Sequence, residues 1–147
     1  MDVGCGTKPY RGLFPTGTYG GIEVNRLSRF GSERHPDVYF DARNFPLLDG
    51  SFESVLCSQV LEHVFEPARF LAEIHRVMKP GGKLLLRVPF VWYEHEQPFD
   101  YGRYTSFGLE YLLAKAGFQQ VSHHKTLANA SIFVQLWLAS LEKSIRP

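Results

Sequence analysis

The sequence predicts one α/β domain, residues 1–147, with a doubly wound, mostly parallel sheet and helices on both faces. Three observations support this fold class. Short apolar runs alternate with helical or irregular segments, most of these runs lack the polar alternation of half-exposed strands, and the first run ends in a glycine-bearing turn. A domain of this length buries roughly 70 per cent of its unfolded surface, so one core is sufficient and no second domain is expected.

The first predicted strand ends at Asp2-Val3 and continues into the turn Gly4-Cys5-Gly6. The two glycines remove Cβ atoms where the chain turns sharply, and they leave backbone N–H groups directed above the sheet edge. Because strands usually have about five or six residues, we expect this one to be truncated at its start. About 20 residues further on, the predicted second strand at 19–24 carries Glu23, at the spacing where a carboxylate can accept from two ribose hydroxyls.

The remaining strands are predicted where short runs of β-branched, aromatic or aliphatic residues occur, at 38–41, 52–58, 83–89 and 118–124. Helices are predicted where apolar residues recur at helical spacing: from Pro67 to the breaker segment 79–82, from a cap at Ser106 to about Ala116, and over 128–143. Two prolines limit 8–15 to one or two helical turns, and the polar segment 25–36 is expected to be a loop or a ragged helix.

Composition excludes several classes of protein. The 16 Lys and Arg residues balance 15 Asp and Glu residues without a long basic run, so nucleic acid is not a predicted partner. Cys5 and Cys57 are the only cysteines and have no CxxC spacing, which favours reduced thiols in the cytoplasm. We find no signal-peptide pattern and no apolar run of about 18 residues, so a soluble cytoplasmic protein without a spanning segment is predicted.

Polar residues and glycines follow the predicted strands at their carboxyl ends, which meet at one edge of a parallel sheet. They are Gly4, Gly6, Glu23, Asp41, Ser58 and Gln59. A dinucleotide fingerprint would need a third glycine where the chain has Pro9. The edge therefore favours a nucleoside-type cofactor over one whose pyrophosphate rests on a helix N-terminus.

At this point the chain resembles the class I S-adenosylmethionine-dependent methyltransferases, in the subgroup related to the quinone and sterol enzymes. The resemblance covers about residues 1–89, in the family's order and spacing, and implies a Rossmann-like sheet. It rests on five motifs: Asp2-Val3-Gly4-Cys5-Gly6, Gly21-Ile22-Glu23, Asp49-Gly50-Ser51-Phe52-Glu53, Leu61-Glu62-His63 and Val77-Met78-Lys79-Pro80-Gly81-Gly82.

The resemblance implies a role for each residue that matches a cofactor-binding position. Gly4 and Gly6 would lie against the methionine part of S-adenosylmethionine, and Asp2 would order their loop. Glu23 would hold both ribose hydroxyls. The remaining implied contacts are Asp41 with the adenine amino group, Ala42 with the ring through its backbone, and Ser58 and Gln59 with the ammonium.

The chain also departs from the family's pattern. The family commonly has a third glycine two positions after Gly6, where this chain has Lys8, and its first helix is normally longer than Pro9 and Gly12 permit. The family usually places an antiparallel last strand after the one predicted at 118–124, and we expect this chain to lack it. Two alternatives stay open. The truncated first strand would favour a catalytically silent cofactor-binding module, and truncation together with a missing last strand would indicate a fragment of a longer methyltransferase.

Methyl transfer from a sulfonium needs mainly positioning and a base that deprotonates the acceptor. His95 is the first candidate because imidazole titrates near neutral pH, with Tyr101 and His63 as further candidates. Glu94 and Tyr104 are alternates in the same aromatic and polar loop, 90–105, which follows the fifth strand. The predicted acceptor is an oxygen or nitrogen of a small molecule.

The segment 94–105 is similar to a loop in bacterial methyltransferases that accompany cell-surface glycan synthesis, which implies a glycan precursor as a second acceptor class. Aromatic faces beside carboxylates and amides would suit a sugar. The loop could instead be a lid packed on the core without touching the acceptor.

Simpler interpretations accompany several of these residues. Asp41 could be a turn-capping acid, His63 a hydrogen-bonded histidine at a helix start, and His95 a histidine that orders its own loop. Adjacent strand residues His123 and His124 would point to opposite faces, so we predict no metal site. The last helix could be core, a homodimer contact or a surface for peripheral membrane contact.

Overall fold

The sheet of the computed structural model has five parallel strands in the order β3-β2-β1-β4-β5. The described residues are 1–15, 17–25, 35–126 and 129–145. Their strands are β1 (Asp2–Val3), β2 (Gly21–Val24), β3 (Val38–Phe40), β4 (Phe52–Ser58) and β5 (Met78–Arg87). The order reverses between β1 and β4, as in a doubly wound sheet, so the predicted Rossmann-like α/β class is confirmed.

The helices are α1 (Pro67–Val77), α2 (Ser106–Lys115) and α3 (Ser131–Ile145), and short 3-10 turns form at Arg11–Leu13 and Leu61–His63. The turn at Arg11–Leu13 is the short helix predicted for 8–15. Within the described part of the chain, no helix is long and apolar enough to cross a bilayer. Most of the segment predicted at 25–36, and the predicted helix start at 128, lie outside the described residues.

Strand register brings the predicted site residues to one edge of the sheet. Val3 pairs with Ile22 on one side and with Cys57 on the other. In the outer pairs, Val24 pairs with Phe40 and Ser58 pairs with Arg87. Because all five strands are parallel, the residues that follow their carboxyl ends lie along the same edge.

The core forms where the apolar face of α1 meets the sheet. Leu71, Ile74 and Val77 are fully buried in one cluster with Val3 and Cys57. Burying such an aliphatic side chain contributes about 1.5–3 kcal/mol relative to leaving it exposed. This packing holds β1 and β4, the two strands that flank the reversal in strand order.

Helix cover is uneven along the sheet. Helices α1 and α2 contact each other, and Leu84 and Leu86 of β5 pack against the same core cluster. Leu85 points to the opposite face and is 65% exposed. At β5, the described helices therefore cover one face of the sheet.

Strand β5 begins earlier than predicted. Helix α1 ends at Val77, and Met78 pairs directly with Phe52, with a register shift before Lys83 pairs with Ser54. The breaker segment 79–82 therefore forms an irregularity inside the strand rather than a connection before it, with Gly81 at φ 76°.

The cap predicted for α2 is wrong by one residue. Thr105 has an extended backbone and its hydroxyl accepts from the Gly108 N–H at 3.1 Å, whereas Ser106 is already helical. Ser and Thr are both good caps, so the residue type alone could not distinguish the two positions.

The strand predicted at 118–124 is also wrong: these residues form no ladder with the described strands. The Phe118 N–H donates to the Leu113 carbonyl at 3.0 Å, so this backbone closes the end of α2, and the Phe118 ring packs on His75. Val121 is 92% exposed. Residues with an alternating apolar pattern form a strand only where they can pair with the edge of a sheet and pack their apolar side against the core.

Helix α3 was predicted as core, dimer contact or membrane-facing surface, and the core interpretation is wrong. Phe133, Trp137 and Leu141 are exposed. The helix begins after Asn129, whose side-chain oxygen accepts from the Ser131 N–H at 3.0 Å.

Candidate active site

The glycine turn after β1 is held tightly against β2 and the segment after β4. Gly4 and Gly6 have φ values of 69° and 50°, in the left-handed region that glycine adopts without strain. The Gly4 N–H donates to the Ile22 carbonyl at 2.9 Å, and a Cβ at Gly4 would collide with the Val60 side chain. A Cβ at Gly6 would meet no atom within 4 Å. Gly4 is therefore required by packing, whereas Gly6 borders open space.

Glu23 of β2 lies against this turn. Its side chain is buried, its Oε2 accepts from the Gly6 N–H at 3.0 Å, and its Oε1 accepts from the Val24 N–H at 3.1 Å. Both carboxylate oxygens therefore lie against backbone N–H groups of the turn and of β2. The turn and the acid predicted from sequence spacing are thus in direct contact.

Asp2 is buried beneath the turn and accepts a hydrogen bond from the Tyr19 hydroxyl. Burial raises the pKa of Asp2, and the Tyr19 bond opposes that rise. Tyr19 was not predicted as a partner of Asp2, because the contact crosses from β1 to the segment before β2.

A pocket of about 380 Å³ lies beyond the ends of β2 and β3. It is lined by Asn25, Tyr39, Phe40, Asp41, Asn44, Phe45 and Pro46. Helix α1 supports its wall, since Glu73 accepts from the Phe45 N–H at 2.8 Å and Arg76 donates to the Phe45 carbonyl at 3.0 Å. Asn25 and Phe45 line the pocket but were not predicted as site residues. In the sequence, only their positions could have indicated this role: Asn25 directly follows β2, and Phe45 follows the Asp41 turn.

Asp41 caps the turn that follows β3. Its Oδ1 accepts from the N–H groups of Arg43 and Asn44, both at 2.8 Å, and these bonds lower the pKa of Asp41. Ala42 has a φ of 65°, an uncommon value for a residue with a Cβ. Asp41 therefore caps the turn, as the simpler interpretation predicted, and it also lines the pocket.

Ser58 and Gln59 follow β4 at the same edge. The Ser58 hydroxyl lies 3.5 Å from the Tyr10 hydroxyl, and Gln59, at φ 58°, donates its N–H to the Arg87 carbonyl at 2.9 Å. Tyr10 is a further residue missing from the predicted site, and it approaches only because the glycine turn folds back over the sheet edge.

Lys8 occupies the position where a third glycine was expected, and it keeps a glycine-like backbone at φ 59°. Its ammonium donates to Asp37 Oδ1 at 2.7 Å, while Asp37 Oδ2 accepts from the Gly21 N–H at 2.7 Å. These bonds lower the pKa of Asp37. The ion pair ties the turn to the start of β2 and offsets the cost of a left-handed lysine.

The loop after β5 packs on the Leu61–His63 turn and brings two of the three candidate catalytic residues, His63 and His95, together. The rings of His63 and His95 lie edge to face with their centroids 4.7 Å apart. The N–H of Tyr101 donates to the Glu62 carbonyl at 2.8 Å, and its half-exposed ring packs on Phe65. The backbone of Tyr101, rather than its hydroxyl, anchors the loop.

Asp100 and Arg103 organise the same loop. Arg103 donates to both oxygens of Asp100, at 2.6 and 2.8 Å, and this pairing holds the pKa of Asp100 well below its usual range. The His95 N–H donates to Asp100 Oδ2 at 3.0 Å. His95 thus helps to order its own loop, as the simpler interpretation predicted, and its ring also lies beside His63.

Glu62 is fully buried under the two histidines. Among the described residues, neither of its carboxylate oxygens has a hydrogen-bond partner. Burial raises the pKa of Glu62. Glu62 was predicted only as part of a family motif, although an acid between the apolar residues Leu61 and Val64 was a signal for a special role.

A family model and several curated proteins are similar in sequence to this chain. A sequence model described as a methyltransferase domain matches residues 1–86. A demethylmenaquinone methyltransferase from Renibacterium salmoninarum is 39% identical over 126 residues, which are 77% of this chain and 47% of that protein. A ubiquinone biosynthesis O-methyltransferase from Pseudomonas paraeruginosa is 34% identical over 101 residues, which are 58% of this chain and 42% of that protein. The chain thus spans less than half the length of these two relatives.

A solved structure shares the fold. The crystal structure of a SAM-dependent methyltransferase from Thermotoga maritima superposes with a TM-score of 0.63 at 24% identity, covering 81% of this chain and 63% of that one. At this identity the likeness extends to the fold alone.

Proposed function

The chain belongs to the methyltransferase domain family, and from this membership we propose that it binds S-adenosylmethionine and transfers its methyl group to an oxygen or nitrogen of a small-molecule acceptor. The observation that carries the proposal is the contact between Gly6 and Glu23 at the carboxyl edge of the sheet. It places a glycine turn, where a ligand can approach the backbone closely, beside the buried acid Glu23.

The residues present fit the cofactor. In the proposed arrangement the methionine part lies over Gly4 and Gly6, where the space above Gly6 is open, and Glu23 accepts from both ribose hydroxyls. Asp2, tied to Tyr19, supports the turn from below. These contacts need no movement of the strands, because the turn and the acid already touch.

The adenine ring is assigned to the pocket beyond β3. Its volume of about 380 Å³ is within the usual range of small-molecule sites, and Phe40 offers it an apolar wall. In this assignment Asp41 accepts from the adenine amino group and Ala42 contacts the ring through its backbone. Ser58 and Gln59 meet the ammonium at the opposite end of the cofactor.

The bound sulfonium supplies an electrophilic methyl group, so the protein has to hold the acceptor in line and remove its proton. We assign proton removal to His95, with His63 and Tyr101 as alternates. The Asp100 carboxylate, whose Oδ2 lies 3.2 Å from His95 Nδ1, would orient the imidazole. An alanine at His95 should then slow turnover while cofactor affinity is unchanged, and undiminished turnover would remove His95 from the mechanism.

The relatives and the loop after β5 each favour a class of acceptor. Two relatives carry names of quinone-pathway methyltransferases, which favours a quinone-like phenol. The stacked rings of Trp92 and Tyr93, 4.8 Å apart, would equally suit a glycan precursor. A methyl-transfer screen across quinone, sugar and lipid acceptors separates these classes. A cytoplasmic location, a homodimer and a peripheral membrane contact stay predictions.

Titration calorimetry tests the cofactor assignment directly. S-adenosylmethionine and S-adenosylhomocysteine should both give binding heat, and NAD should give none. Glu23→Gln should weaken S-adenosylmethionine binding by about tenfold, which corresponds to about 1.4 kcal/mol. Glu53→Gln is the matched control, since Glu53 is exposed and paired with Lys79. Binding heat with NAD alone would refute the proposal, and cofactor binding without transfer to any acceptor would support the silent module instead.

A further inference from the structure

A buried acid and two imidazoles form a compact group outside the cofactor turn. One ligand atom from each of Glu62, His63 and His95 lies within 4.8 Å of the others. Glu62 is fully buried, and within the described residues both of its carboxylate oxygens have no hydrogen-bond partner. A buried carboxylate without hydrogen bonds is costly unless a cation compensates it.

Each imidazole has its Nδ1 beside an oxygen atom of the loop after β5. His63 Nδ1 lies 2.8 Å from the Phe99 carbonyl oxygen, and His63 Nε2 lies 4.0 Å from Glu62 Oε1. Since a carbonyl only accepts, Nδ1 carries the proton and Nε2 has a lone pair for a cation. This second hydrogen bond is the arrangement that orients metal-binding histidines.

His95 is held in a similar way. Its Nδ1 lies 3.3 Å from the Tyr93 carbonyl oxygen and 3.2 Å from Asp100 Oδ2, which leaves Nε2 as the available ligand atom. An Arg103 nitrogen also lies 3.5 Å from this Nδ1. The Arg103 charge is paired by two bonds to Asp100, which reduces its repulsion of a cation.

We propose that Glu62, His63 and His95 form a site for a divalent transition metal. Two imidazoles and one carboxylate make a three-ligand set with an open fourth position, as in catalytic zinc sites. Nitrogen ligands favour zinc or cobalt over magnesium or calcium. Ligand atoms of a tetrahedral site are about 3.4 Å apart, so the two partly exposed rings move inward by about 1 Å on binding.

Metal binding can be measured without the proposed methyl transfer, although both use His95. A bound metal occupies His95 as a ligand, so this residue does not then serve as the base. Glu62, His63 and His95 would then hold the ion where it could lower the pKa of an acceptor hydroxyl, whose proton would pass to solvent.

Cobalt titration tests the site on the full chain, prepared without a histidine tag and treated with chelator. One equivalent of Co²⁺ should bind and give the intense visible absorption of a tetrahedral complex, and Zn²⁺ should displace it. His95→Ala and Glu62→Gln should each weaken Co²⁺ binding at least about tenfold, the smallest loss typical even for residues that merely orient ligands. His124→Ala should bind as the parent does, because His124 is exposed and outside the cluster.

Three results would overturn the site: no stoichiometric binding by the parent chain, unchanged affinity in His95→Ala, or loss of binding in His124→Ala. His95 lies in a surface loop and is partly exposed, so its alanine variant should keep the parent's far-ultraviolet circular dichroism even if Glu62→Gln does not fold. Calorimetry with S-adenosylmethionine on the metal-free chain reports the proposed function separately. Cofactor heat without cobalt binding refutes only the metal site, and cobalt binding without cofactor heat refutes only the methyltransferase proposal.

Discussion

Replacement of Gly4 by alanine should destabilise the domain by about 3 kcal/mol. At φ 69° a residue with a Cβ costs about 1–2 kcal/mol. The new methyl group also collides with the Val60 side chain, and overpacking of this kind typically costs about 1–3 kcal/mol. For a domain of this size the melting temperature should fall by about 9 °C.

Gly6→Ala is the matched control, because it adds the same methyl group two residues away. Its φ of 50° also disfavours alanine, but no atom lies within 4 Å of the added Cβ. We expect a loss of about 1 kcal/mol, or about 3 °C. The methyl group would point into the space assigned to the cofactor, so S-adenosylmethionine binding should weaken by about tenfold.

Thermal unfolding followed by circular dichroism, with calorimetric cofactor titration, separates the two effects. The double variant Gly4→Ala/Val60→Ala should lose at least about 1 kcal/mol less than the two single losses together, since Val60→Ala removes the collision. Equal melting temperatures for Gly4→Ala and Gly6→Ala, or strictly additive losses in the double variant, would refute the packing argument.

Three further predictions follow from individual contacts. Arg103→Met leaves Asp100, whose side chain is 4% exposed, without its cation, and urea unfolding at pH 7 should show a loss of about 3 kcal/mol. Because pairing lowers the pKa of Asp100 in the folded chain, the pair stabilises the parent fully above the unfolded pKa of about 3.9 and less at lower pH. The difference in free energy of unfolding between parent and variant should therefore decrease on acidification. A difference that stays constant with pH would contradict this. Thr105→Ala should cost about 1 kcal/mol through loss of the α2 cap, whereas an equal loss in Ser106→Ala would show that the cap is misassigned. Cys57 is fully buried and burial raises its pKa, so a thiol reagent should modify it only after unfolding, and rapid labelling of the native protein would count against the packing of β4.

The features predicted well from the sequence are those specified by local pattern. Strand β4 has the predicted bounds, and Pro67 begins α1 as expected. Gly6 and Glu23 lie at the same edge of the sheet as predicted, because parallel strands bring their carboxyl ends together, and the structure adds the contact between them. Each of these predictions needed only one segment, or two adjacent strands.

The features predicted poorly depend on distant partners. The segment 118–124 has an alternating pattern, but its first backbone N–H closes α2 and no described strand pairs with it. Glu62 and His95 follow neighbouring strands, but more than 30 residues separate them and the strand pattern does not specify which side chains of the two connections touch. Their proximity arises from hydrogen bonds of the loop after β5 to the turn after β4.

Glu62 links the two halves of the proposed active site. Its carbonyl oxygen accepts from the N–H groups of Tyr101 and Gly102, at 2.8 and 3.1 Å, so its backbone holds the acceptor-side loop. Its side chain lies under the histidines, and it follows Gln59 at the cofactor edge by three residues. Changing the Glu62 side chain therefore tests the chemistry of the cluster while the two backbone bonds that dock the loop remain available.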